Sequence, residues 1–244
     1  MTVGETRATA DASSPPLVLG IVPARGGSKG VPRKNVRMLG GRPLLAYTAA
    51  AAAGSGVCDR VVLSTDDPEI AAVGRACGLD VPFLRPVELA TDESPMLPVL
   101  QHVLEMLARE SWHPDIVLVL QPTSPLRQPD HIRRAVEQLR DTRADSVVTV
   151  VELPRHLSPD YVMRIADGRL RPFLADGAGV TRRQDARPAY VREGTVYACW
   201  RETIERFGNI YGNDCRPLLM DPHESLSIDS LDDWNEAERR LAAS

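Results

Sequence analysis

Lys29 and Lys34 are the only lysines in a chain with 29 Lys and Arg residues, and both stand in the glycine-rich stretch PARGGSKGVPRKN, Pro23 to Asn35. Lysine is a compact point charge on a flexible stem and arginine a planar fork, so a site needing single charges beside phosphate oxygens favours lysine. The glycines let backbone N–H groups approach a phosphate chain, while Arg25, Lys29 and Lys34 supply positive charge. The stretch therefore predicts a phosphate cradle. It is not a Walker loop, because Gly30 is followed by Val31 and Pro32 rather than by the lysine and hydroxyl residue that loop requires. A dinucleotide fingerprint fails as well, since the glycine spacing is wrong and Pro32 interrupts the helix that should follow. Nothing in the sequence suggests a Cys/His nucleophile pair, and His102, His113, His131, His156 and His223 are scattered.

Such a loop needs rigid elements to hold it. Leu17 to Ala24 is a continuous apolar run, as expected of a strand buried on both faces of a parallel sheet, and it feeds the glycine loop directly. Pro43 to Ala53 reads as a helix closed by Gly54 and Gly56, Arg60 to Thr65 as a strand, and Asp67-Pro68 as the capped start of a helix that stops at Gly78. A short extended segment, Val81 to Leu84, precedes a loop and a helix from about Pro98 to Glu110. Asp115 to Leu120 is a second buried strand opening into a polar loop. In open α/β sheets ligands bind outside the carboxyl ends of the strands, so the loops after Ala24 and Leu120 should face one crevice. A helix over Asp130 to Arg140, a strand over Ser146 to Leu153, a strand GTVYACW, a short helix, a strand over Pro217 to Met220 and a closing helix carrying Leu231, Trp234 and Leu241 complete the alternation. The fold class is α/β with a mostly parallel sheet.

Residues 1–16 read as a disordered polar tail, and residues 17–244 as one domain. Arg155 to Pro188, rich in Arg, Asp, Gly and Pro with a hairpin signal at Asp167-Gly168, reads as an insertion: a lid or a dimer contact, or else a plain surface loop. A net charge of −4 argues against broad binding of nucleic acid or an anionic membrane. No apolar run reaches the length of a membrane span. Cys58, Cys77, Cys199 and Cys215 show no paired spacing, which suggests neither zinc nor a disulfide framework and fits a reducing cytoplasm.

VPARGGSKGVPRKN resembles the nucleotide-binding stretch of the acylneuraminate cytidylyltransferases, the CMP-sialic acid synthetases, which join CTP to an acidic sugar and release pyrophosphate. The resemblance extends in order through LSTDD (Leu63 to Asp67), RPVELATD (Arg85 to Asp92), LQPTSPLR (Leu120 to Arg127), RRQDARPAY (Arg182 to Tyr190) and SIDSLDDW (Ser227 to Trp234). It implies a Rossmann-like three-layer α/β/α fold, a homodimer formed through the insertion, and Mg²⁺ as cofactor. For the nucleotide it implies Ala24, Arg25, Gly26, Gly27, Ser28 and Lys29 around the triphosphate and Lys34 and Asn35 on the phosphate and ribose side. It also implies Arg85 and Ser94 near the cytosine, and Gln121 at the junction with the acceptor; Arg25, Lys29, Lys34 and Gln121 would carry catalysis. Ser124, Arg127, Arg183, Gln184 and Tyr197 are implied on the acceptor side and Asp229 at the metal, although each arginine taken alone reads equally well as a surface ion-pair partner.

Two positions depart from the family pattern. The usual Asp-x-Asp metal pair becomes Ser227 and Asp229, and the usual Asn-Gly before the GTVYACW strand becomes Glu193-Gly194. One carboxylate still suits Mg²⁺, which completes its shell with water and phosphate, but an added carboxylate is a poor neighbour for an acidic sugar unless an arginine offsets it. The sequence therefore speaks for CTP and leaves the acceptor open between a nonulosonate and another compact acid such as a phosphonate. Two further readings remain: a nucleotidyltransferase using another base, and a silent homologue that only binds CTP.

Overall fold

The computed structural model describes residues 15–174 and 182–243, apart from the side chain of Arg183. The expected tail therefore lies almost wholly outside the described residues, as does the middle of the insertion, residues 175–181. The elements run β1 (Val18–Pro23), β2 (Met38–Leu39), β3 (Arg42–Pro43), α1 (Leu44–Ser55), β4 (Arg60–Ser64), α2 (Pro68–Ala76), α3 (Met96–Arg109) and β5 (Ile116–Val119). They continue with α4 (Pro129–Thr142), β6 (Ser146–Glu152), β7 (Met163–Ala166), β8 (Arg169–Pro172), β9 (Tyr190–Trp200), α5 (Arg201–Phe207), β10 (Cys215–Leu219) and α6 (Leu231–Ala242).

Six strands form one sheet in the order β10-β6-β9-β5-β1-β4. β1 pairs in parallel with β4 and β5, β10 pairs in parallel with β6, and β9 alone runs antiparallel between β5 and β6. Successive residues of a strand point to opposite faces, and both faces are covered. Val18, Val22, Ile116 and Leu118 pack with α1, α2 and α4 through Leu45, Ala49, Ile70, Ile132 and Val136. Leu19, Ile21, Val117 and Val119 pack on the other side with α3 and α5 through Leu100, Val103, Leu107 and Ile204. The fold is thus three-layer α/β/α, and double-sided burial is why these strands are unbroken apolar runs.

The helix ends follow their local chemistry. Asp67 caps α2 by accepting from the N–H groups of Glu69 and Ile70, with Pro68 in the first turn. Gly56, at φ 67°, ends α1 in the left-handed conformation. Val81 to Leu84, expected as a short extended segment, adds no strand to the sheet: a single parallel bridge joins Asp80 to Val62, and Pro82, lacking an N–H, cannot extend the ladder. The hairpin at Asp167-Gly168 is present, both residues with positive φ between β7 and β8. A third apolar cluster joins Val31, Leu39 and Leu44 to Ile228, Trp234 and Ala237, fastening α6 under the glycine loop. Among the described residues, no helix is long and apolar enough to cross a membrane.

Candidate active site

Because β1 and β5 are parallel neighbours, their carboxyl-end loops open side by side. The cleft between them has a volume of about 270 Å³ and is lined by Arg25, Ser28, Lys29, Gly30, Lys34 and Asn35 from the first loop and Gln121, Pro122 and Thr123 from the second. Met96, at the start of α3, and Asp229, just before α6, complete the wall. The crevice expected from sequence is therefore formed by the two loops expected to form it.

The glycine loop is tied down from four directions. Ala24 continues the β1 ladder, its N–H donating to the Ser64 carbonyl at 2.9 Å. The Gly26 N–H donates to Asp66 Oδ1 at 3.0 Å, and the Asn35 carboxamide donates to the Arg25 carbonyl at 3.1 Å. Arg33, at φ 56°, clasps Asp67 and Glu69 at the start of α2. Lys34 Nζ donates to the Ile228 carbonyl at 2.7 Å and lies 3.4 Å from Asp229 Oδ1. Gly30 shows why glycine is required: a Cβ there would stand 1.9 Å from the Asp229 carbonyl oxygen. Arg25 and Lys29 both pair with the carboxylate of Asp92, and Gly27 has open space where its side chain would be.

Two arginines expected to face ligand are buried and occupied. Arg85, 6% exposed, donates to the Ser64 hydroxyl and carbonyl and to the Leu89 carbonyl, so it secures the end of β4 to the following loop. Burial pushes its pKa down to about 10, against the opposing effect of Asp66. Arg127, 3% exposed, donates to the carbonyls of Gln121, Gly194 and Thr195 and to the Thr48 hydroxyl. Burial pushes it down to about 9, with Glu193 pulling the other way. The acceptor contact expected of Arg127 is corrected accordingly: it fastens a bulge in β9 to the β5 loop. The ladder between β6 and β9 shifts register between Val148 and Val150, and the Thr149 hydroxyl fills the gap, donating to the Glu193 and Val196 carbonyls and accepting from the Val196 N–H.

The bulge brings Gly194 against the second loop, where a Cβ would meet Gln121 Oε1 at 2.7 Å and Ser124 Oγ at 3.3 Å. The Ser124 hydroxyl is buried and has no hydrogen-bond partner among the described residues. Ser94 braces its own loop by bonding Thr91 and the Glu88 carbonyl. Tyr197 pairs with Val119 and Val148 and packs on the α3 side of the sheet, where burial raises its phenol pKa. Gln184 is exposed on the short turn Arg183–Asp185, and the Arg183 side chain expected at the acceptor lies outside the described residues. The structure thus joins Arg25, Ser28, Lys29, Lys34, Asn35, Gln121 and Asp229 at one cleft and gives Arg85, Ser94 and Arg127 bracing roles behind it.

Residues 19–212 match the family described as cytidylyltransferase. The chain belongs to the cytidylyltransferase family. It is similar to the CMP-N,N'-diacetyllegionaminic acid synthase of Legionella pneumophila, with 37% identity over 92% of this chain and 96% of that protein. N-acylneuraminate cytidylyltransferase A of Danio rerio is 35% identical over 91% of this chain and 50% of that protein, so the chain spans about half that relative's length. In fold it is similar to CMP:2-keto-3-deoxy-manno-octonic acid synthetase complexed with CTP, with a TM-score of 0.70 over 93% of this chain and 99% of that chain at 16% identity. The 4-diphosphocytidyl-2C-methyl-D-erythritol synthase of Anaerococcus prevotii aligns with a TM-score of 0.63 over 93% and 99% at 14% identity.

In this cytidylyltransferase the Glu193 carboxylate is held in place and favours the charged form of the buried Arg127. Its carboxylate accepts from the Thr195 N–H and hydroxyl at 3.0 and 2.8 Å and from the Ser225 hydroxyl at 3.1 Å. Sequence reasoning missed Ser225 as a partner because it lies 32 positions away. Among the described residues no group of three or more His, Cys, Asp or Glu is placed to hold a metal. Asp229, 73% exposed in its side chain, faces the cleft and accepts from the Ser227 hydroxyl at 3.0 Å. One hard, solvated carboxylate beside a phosphate-sized cleft fits a Mg²⁺ that takes its remaining ligands from water and phosphate.

Proposed function

We propose that this cytidylyltransferase transfers CMP from CTP to a hydroxyl of a sialic acid-like nonulosonate and releases pyrophosphate. The observation that carries the reading is the cleft that Arg25, Lys29 and Gly30 of the glycine loop line together with Gln121 and Asp229. The acceptor oxygen attacks the α-phosphorus in line, the bond to the pyrophosphate oxygen breaks, and the acceptor proton leaves to solvent or a base. Little covalent chemistry falls to the protein, whose task is positioning and charge neutralisation. Arg25 and Lys29 offset the charge on the departing pyrophosphate, the loop glycines admit its oxygens to the backbone, and Gln121 stands where nucleotide and acceptor meet. Asp229 would hold Mg²⁺, which when bound supplies further charge neutralisation at the phosphates. An acidic acceptor is compatible with Glu193, because the buried Arg127 guanidinium offsets its charge while Thr195 and Ser225 hold its carboxylate in place.

We also infer a homodimer working in the cytoplasm. The β7–β8 ribbon supports the dimer: Ile165 opposes Leu170 on one face, both more than two-thirds exposed at 78% and 68%, while Arg164 opposes Arg171 on the other. A lone two-stranded ribbon with an uncovered apolar face is marginal in water. The transfer reaction is tested by incubating the protein with each of the four nucleoside triphosphates, Mg²⁺ and a panel of acidic acceptors. CTP with a nonulosonate should give pyrophosphate and a CMP conjugate by mass spectrometry; turnover with ATP, GTP or UTP alone would sink the proposal.

A further inference from the structure

Asp92 stands on the loop between the short turn Val87–Leu89 and α3, and each of its two carboxylate oxygens takes one cation of the cradle: Oδ1 takes Arg25, Oδ2 takes Lys29. Both cations line the cleft and Asp92 does not. The loop that carries it is held on either side of this contact. Arg85 bonds the Leu89 carbonyl on one side, and Ser94 bonds Thr91 and the Glu88 carbonyl on the other. The Asp92 carboxylate is therefore presented to the cradle by a braced turn and does not reach it by chance from a floppy one. The groups it occupies are the two whose charge a phosphate chain needs.

We propose that Asp92 is an internal counter-anion that holds Arg25 and Lys29 until a polyphosphate displaces it, and so sets how much charge a ligand must carry to claim them. The inference rests on the reading of the cleft as a triphosphate site. A carboxylate offers two oxygens and one negative charge, whereas pyrophosphate and the triphosphate tail of CTP offer several of each, so they win the exchange where a singly charged anion does not. The exchange is partial in strength because the pairs are exposed: Lys29 keeps 81% of its side-chain surface in water. Once pyrophosphate leaves, Asp92 recaptures the cations, which opposes its rebinding.

The test is binding to the full chain by calorimetry, with inorganic pyrophosphate and cytidine as separate probes, for wild type, Asp92→Asn and Asp92→Glu. Asp92→Asn should bind pyrophosphate about threefold to tenfold more tightly, the size expected from losing exposed ion pairs, with cytidine unchanged and Asp92→Glu near wild type. An equal or weaker affinity of Asp92→Asn for pyrophosphate overturns the proposal, and so does a change for cytidine as large as that for pyrophosphate, which would mean the loop's shape is what matters. If wild type binds neither cytidine nor pyrophosphate, the reading of the cleft fails and this inference falls with it. Thermal unfolding of the variants, expected to match wild type because Asp92 is on the surface, shows that they are folded.

Discussion

Arg25 and Arg127 are the same side chain put to opposite uses. Arg25 is a third exposed at the cleft and answers to an exchangeable carboxylate, whereas Arg127 is buried and every contact it makes is with the protein itself. Replacing Arg127 with Ala leaves the carbonyls of Gln121, Gly194 and Thr195 without their donor in the interior. The expected loss is about 3 kcal/mol or more, read as a lower urea midpoint at unchanged m-value. A normal midpoint with a raised KM for the acceptor would return Arg127 to the ligand. The type and spacing of residues made the lysines and glycines of the cradle legible, because few other chemistries call for them together. They did not distinguish a ligand-facing arginine from a bracing one, since that depends on Thr48, Thr195 and Gly194, which only the folded chain brings near.

At the scale of elements, the α6 N-terminus shows how a helix cap and a functional carboxylate share one segment. Ser230 and Asp233 form a capping box, and Asp233 also accepts from the N–H of Asp229 at 3.0 Å, so the cap fixes the backbone from which Asp229 reaches the cleft. The hydrogen bond from Ser230, together with that from the Asp229 N–H, holds the Asp233 pKa below the ordinary carboxylate value. A carboxylate with a depressed folded value stabilises above its unfolded pKa and loses that contribution as pH falls through the folded one. Asp233→Ala should therefore cost about 1 kcal/mol at neutral pH, and the gap from wild type should close below about pH 4, measured by denaturant titrations at both pH values. A gap that persisted in acid would assign the loss to packing. The antiparallel direction of β9 and its bulge were not signalled in the sequence, because alternation fixes which residues are buried and says nothing of strand direction.

For the whole molecule, the β7–β8 ribbon predicts the assembly. Ile165→Glu with Leu170→Glu should convert a dimer into a monomer in sedimentation velocity while thermal unfolding stays cooperative; a dimer that survives both substitutions would place the interface elsewhere. The layered α/β/α plan was readable from buried strands and capped helices, whereas the third cluster, with Trp234 under the glycine loop, joins distant stretches of sequence and carries no local signal. That cluster also sets an order of events during synthesis. Lys34 meets the Ile228 carbonyl across a separation of 194 residues, and Val31, Leu39 and Leu44 have no cover until Ile228 and Trp234 arrive. At translation rates of about 5 to 20 residues per second, the cradle waits on the order of 10 to 40 s for the segment that seals it. A nascent chain thus carries its phosphate loop early but unsealed, and the cleft closes only as its last wall leaves the ribosome.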